Sequence, residues 1–138
     1  MEKLSGKLEL CGRALTTLRE ALALPFNVIV RDACIQRFEC TFESLWKLLK
    51  VYLLEYQGIS CNSPKSCFRE ALKEDLLTRE QAETCLVMTD DRNLTSHTYI
   101  EPVAVSLYQK LPGYLSVMET LYENIRSDVE PLITDEGV

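Results

Sequence analysis

A chain of 138 residues, 46% apolar and 26% charged, has material for one domain with a real core and too little for two ordinary ones. Fifteen basic against twenty-one acidic residues leave a formal charge of −6, which argues against an extended nucleic-acid surface, since that affinity comes from neutralising phosphates; a small local basic patch stays compatible with RNA. No apolar run approaches the roughly 18 residues of a membrane span, the N-terminus lacks a long apolar leader region, and the expected location is cytoplasmic.

Residues 3–24 read as a first helix. Leu4, Leu8, Cys11, Leu15, Leu18 and Leu22 alternate spacings of four and three to make one apolar seam, closed by Pro25. The seam suits either an ordinary bundle or a coiled-coil partner. Asn27 can cap a longer second helix that stops near Gly58, with Ile35, Phe38, Phe42, Leu45, Trp46, Leu49 and Leu53 as its core stripe. Asp32, Gln36, Glu39, Glu43 and Lys50 border that stripe. They are a solvated face, or else Glu39 and Glu43 orient cations on a facing helix or chain, such as Arg92. Cys40, Leu48 and Val51 make the far side apolar as well, which predicts burial both within the bundle and against a second copy.

Ser63-Pro64 opens a short third helix that buries Phe68, Ala71, Leu72 and Leu76. Thr78-Arg79-Glu80-Gln81 fits the capping box of a fourth. After Glu101-Pro102 a last long helix carries Val103, Leu107, Leu111, Leu115, Met118, Leu121 or Tyr122, and Ile125. Pro112 and Gly113 fall inside it, so a kink or break is expected near Lys110. The predicted architecture is all-α, an up-and-down four-helix bundle with a short extra helix. One domain covers residues 1–126, and residues 127–138 read as an acidic, frayed tail.

Four of the six cysteines, Cys11, Cys34, Cys40 and Cys85, fall inside helical patterns, where a reduced thiol packs as a small hydrophobe. Cys61 and Cys67 flank a turn at a spacing that fits no known zinc finger. With no Cys-x-x-Cys pair and a single histidine, no metal or cofactor is expected.

The stretch from Asp90 to Tyr99 stands apart. Ala82, Cys85 and Leu86 define the apolar face of the fourth helix, and continuing it at helical spacing gives Thr89, Arg92, Asn93, Ser96 and His97. Polar side chains at core positions cost free energy unless paired, which marks the stretch as a site. On a helix extended to Tyr99, Arg92, Ser96 and Tyr99 share a stripe, with Asn93 and His97 on the adjacent one. A guanidinium clamps phosphate and an imidazole moves protons near neutral pH, so the set suits phosphodiester chemistry or nucleotide binding. The plain alternative is that Arg92 pairs with Asp90 or Glu43 and His97 is an ordinary helix-end histidine. There is no phosphate-cradling glycine loop, no Gly-Ser plus Asp-x-Asp nucleotidyltransferase pattern and no catalytic triad context.

Residues 32–47, Asp-Ala-Cys-Ile-Gln-Arg-Phe-Glu-Cys-Thr-Phe-Glu-Ser-Leu-Trp-Lys, and residues 92–99, Arg-Asn-Leu-Thr-Ser-His-Thr-Tyr, resemble the nucleotidyltransferase substrate-binding protein family, a branch of the HEPN superfamily. The resemblance runs from the first helix to about Arg126 and includes the Arg-x4-His-x-Tyr motif. It implies a homodimer that assembles with a separately encoded minimal nucleotidyltransferase. It implies two functions: a non-catalytic subunit that binds nucleotide or RNA substrate through Arg92, Asn93, Ser96 and His97, or a metal-independent RNase toxin. In the second, Arg92 and His97 meet across a dimer cleft and adenylylation of Tyr99 silences the enzyme. The resemblance gives Glu39 and Glu43 no motif role; their position bordering the stripe of the second helix makes them the expected supports of Arg92. A third reading, a purely structural dimerisation bundle, gives these residues no chemistry.

Overall fold

The structure, a computed structural model, describes residues 2–136. Five helices account for it: α1 (Glu2–Leu22), α2 (Val28–Gln57), α3 (Pro64–Lys73), α4 (Arg79–Asn93) and α5 (Glu101–Glu136), with a single 3₁₀ turn, Thr95–His97, between the last two. No strand occurs among the described residues. The long helices α1, α2 and α5 pack on one another, while the shorter α3 and α4 pack together and fill the remaining side against α2 and α5.

Local chemistry sets most boundaries. The Asn27 side chain accepts from the Val30 amide at 2.8 Å and starts α2. Gly58, at φ 71°, ends it in the left-handed conformation that costs glycine least. Ser63 before Pro64 caps α3, and Thr78 with Gln81 forms the reciprocal capping box of α4. The α1 seam is buried from Leu4 to Leu18, and Ala21 closes it where Leu22 is only partly covered. On α2 the predicted stripe is buried except for Trp46, which is half-buried.

Four expectations change. Leu48 and Val51 are buried inside the chain, because α1 covers the second apolar side of α2; that side needs no second copy, and Cys40 beside it is exposed. Cys61 and Cys67 form a disulfide that their spacing did not announce. Of the kink or break expected near Lys110, the break does not occur, and α5 continues through Pro112: that residue faces solvent, where one lost hydrogen bond is tolerable, and the buried Leu111, Tyr114 and Leu115 hold the helix on both sides. The fourth helix stops at Asn93 instead of running on to Tyr99.

Residues 127–136 of the expected tail continue α5, and 137–138 lie outside the described residues. Val129 is fully buried. Asp128 accepts a 2.6 Å hydrogen bond from the Tyr52 hydroxyl on α2, so this part of α5 is tied to the bundle. Removing residues 127–138 therefore deletes a buried valine and a charge-assisted hydrogen bond. A drop of about 2–4 kcal/mol in unfolding free energy is expected in urea titrations; an unchanged midpoint would mean the segment contributes nothing.

Candidate functional site

The site is built where α4 ends. Leu94 donates to the Asp91 carbonyl at 3.0 Å and His97 to that of Leu94 at 2.9 Å, tightening the chain from α-helical to 3₁₀ spacing. The Thr95 hydroxyl bonds the Arg92 carbonyl at 2.8 Å and that of Thr98 the Thr95 carbonyl at 3.2 Å, competing with helix continuation. Thr95 is buried, which draws the turn in against α2 and α5. Glu101-Pro102 then starts α5, and the buried Arg31 of α2 holds that start through Glu101 at 2.6 Å while also bonding Asp32 at 3.1 Å.

This turn rearranges the face read from periodicity. Thr89 is buried, with its hydroxyl bonded to the Cys85 carbonyl at 2.8 Å, and Arg92 is half-buried. Asn93, Ser96 and His97 are exposed, because the helix that would have turned them inward has already ended. Arg92 Nη2 lies 3.3 Å from Glu43 Oε1 and 3.8 Å from Glu39 Oε1, so the two α2 carboxylates do face this guanidinium. Asp90, the other partner considered, pairs with Lys65 of α3 at 2.7 Å. Arg92 Nε is buried and has no hydrogen-bond partner, leaving one donor of the fork unused. Tyr99 is 80% exposed, and its ring stands edge-on to His97 with centroids 6.1 Å apart.

Asp91 was not singled out by sequence, although the spacing Met88, Asp91, Thr95 would have placed it on the buried side. It is buried, accepts from the Tyr114 hydroxyl, and lies 3.2 Å from Lys110 Nζ. Tyr114 and Lys110 sit on α5, so this carboxylate anchors the end of α4 one residue before Arg92. Burial and the neighbouring Asp91 push the Tyr114 phenol well above its ordinary value.

Chemically, the arrangement offers a cation restrained by two carboxylates, a solvent-facing imidazole and an accessible phenol in one short segment. A phosphate could displace the carboxylates from Arg92, which has the geometry for bidentate contact.

Known proteins share the fold. A family model described as nucleotidyltransferase substrate binding protein like matches residues 7–127. A Haemophilus influenzae protein named probable ribonuclease HepT is 30% identical over 106 residues, 71% of each chain. A crystal structure of a Thermus thermophilus protein shares 44% identity and a TM-score of 0.81, covering 84% of this chain and 98% of that one. The tri-AMPylated HEPN toxin of Shewanella oneidensis, in complex with MNT antitoxin, shares the fold at 15% identity and a TM-score of 0.72, over 90% of this chain and 96% of that one.

Replacing Tyr114 with Phe leaves Asp91 buried beside Lys110 alone, which should cost about 1–3 kcal/mol at neutral pH. A tyrosine whose folded pKa is raised contributes stability below its unfolded value and loses it as pH rises. Wild-type stability should therefore fall above pH about 10, and less steeply in Tyr114→Phe. Urea unfolding across that range reads both effects.

Proposed function

This chain belongs to the nucleotidyltransferase substrate-binding-protein-like family, and from that membership we propose that it is the HEPN-type partner of a separately encoded minimal nucleotidyltransferase in a toxin–antitoxin-like pair. The observation that carries this is the extent of the family match, which takes in α1 to most of α5 and all of Arg92–Tyr99. In that role it has no nucleotidyltransferase motif of its own and presents nucleotide or RNA through Arg92, Asn93, Ser96 and His97.

Within the partnership, ribonuclease chemistry is the reading favoured by an exposed His97 carried in the same short segment as a restrained Arg92 whose Nε has no partner. Two copies related by a two-fold axis would place two of each residue around one cleft. There the ribose 2′-hydroxyl forms a bond to the adjacent phosphorus as the bond to the 5′-oxygen breaks. His97 takes up the hydroxyl proton, the leaving 5′-oxygen takes a proton from solvent water, and Arg92 balances the phosphorane charge. Glu39 and Glu43 hold Arg92 until a phosphate replaces them. The nucleotidyltransferase silences the site when the Tyr99 oxygen attacks the α-phosphorus of ATP, releasing pyrophosphate and a proton. The AMP left on Tyr99 adds charge and bulk in the cleft.

Induced without its partner in a bacterial host, the wild type should arrest growth with loss of RNA, and an Arg92→Ala, His97→Ala double variant should not. Equal growth would leave substrate binding as the role, and a change in stability alone would reduce the chain to a structural bundle.

With the nucleotidyltransferase and ATP, intact-mass spectra should gain AMP increments that Tyr99→Phe abolishes. An unmodified mass removes the silencing step.

A further inference from the structure

One face of this acidic chain is basic. Lys3 and Lys7, one turn apart on α1, line a groove of about 270 Å³ together with Lys47, Lys50, Trp46 and the single acid Glu55 of α2. Lys50 Nζ sits 5.9 Å from the centre of the Trp46 ring. Lys3 and Lys7 make no ion pair among the described residues, and Lys47 is 3.8 Å from Glu43. Four ammonium groups against the one carboxylate of Glu55 leave the groove net positive in a chain of formal charge −6, a local field that favours a polyanion.

The groove leads toward the candidate site. Lys7 and Lys47 also line an adjoining groove of about 440 Å³ that passes Leu10 and Ala14 and reaches Glu39 and Glu43. Lys7 and Lys47 join the two grooves, and Glu43, in the second, connects them to the candidate site. Glu43 Oε1 lies 3.3 Å from Arg92, while its Oε2 accepts from Trp46 Nε1 at 3.1 Å and faces Lys47. From Lys3 to Ala14 the track follows roughly 16 Å of helix α1, longer than a mononucleotide needs and suited to several linked phosphates.

We propose that the α1–α2 groove holds single-stranded RNA flanking the phosphate that Arg92 receives, with the lysines on the backbone and Trp46 as a stacking surface for a base. The inference rests on the ribonuclease reading and extends it. Cations combined with an aromatic face suit a single strand, since every base can stack and every phosphate can be neutralised. The restraining carboxylates lie at the end of the track, so a strand seated there meets Glu43 and Arg92 together.

Trp46 is the sole tryptophan, so its emission reports on this groove alone. The full-length protein carrying His97→Ala, to prevent cleavage, is titrated with a fluorescein-labelled, mixed-sequence single-stranded RNA while emission and anisotropy are followed. Quenching of Trp46 is expected in step with the anisotropy rise. Lys3→Gln with Lys7→Gln, and separately Lys47→Gln with Lys50→Gln, should each weaken binding about fivefold or more and lower the log–log salt slope by about 1.4. Lysine-to-arginine versions should restore binding, and circular dichroism checks that each variant is folded. In the cleavage-competent chain the glutamine variants should raise KM and leave kcat in place.

Unmoved Trp46 emission, or unchanged affinity in the glutamine variants, overturns the groove while RNA cleavage by the wild type keeps the ribonuclease reading. Loss of nucleotidyltransferase capture with RNA binding intact would make the face a protein contact, which also overturns it. Absence of any RNA binding or cleavage removes both readings.

Discussion

A single buried carboxylate fixes where the candidate chemistry sits. Asp91 accepts from Tyr114 and faces Lys110, so the last turn of α4 is pinned to α5 through side chains 19 and 23 residues away in sequence. A buried charge without those partners would be strongly disfavoured, and with them it tolerates little displacement. Arg92 follows Asp91 directly and inherits that position, with Glu39 and Glu43 receiving it from α2. The 3₁₀ turn then carries His97 and Tyr99 outward. The segment combines a rigid inner half with an accessible outer half, a division suited to a site that must be both accurately placed and open to a large substrate.

Much of this fold could be read from the chain because the relevant physics is local. The Asn27, Ser63 and Thr78 caps and the Gly58 stop depend on residues within a few positions of one another, and they occur where they were read. The seams of α1 and α2 follow from a helical period that persists over many turns. The site was harder. Periodicity puts Thr89, Arg92, Asn93, Ser96 and His97 at core positions, yet Asn93, Ser96 and His97 are exposed and the buried acid is Asp91. The helix ends early through threonine hydroxyl bonds and the burial of Thr95, and burial depends on elements distant in sequence. The same holds for α5, where solvent exposure of Pro112 decides that the helix continues.

A net negative charge does not by itself exclude the polyanionic ligand proposed above. The net value of −6 averages over a surface on which Arg13, Arg19 and Arg126 are already spent on glutamates along α1 and α5. Exposed pairs of this kind contribute little to stability, and they leave little field to attract phosphate. The lysines of the α1–α2 groove are less committed, so attraction is concentrated on one face.

The Cys61–Cys67 link has a consequence for the bundle as a whole. It closes a six-residue step between the loop after α2 and the body of α3, and α3 in turn supports α4 through Lys65 and Asp90. Opening it under reducing conditions would lengthen the tether on the smaller helical pair while α1, α2 and α5 kept their own packing. The link thus bears on the smaller helical pair, to whose end the Arg92 segment is attached, and leaves the mutual packing of α1, α2 and α5 to their own buried side chains.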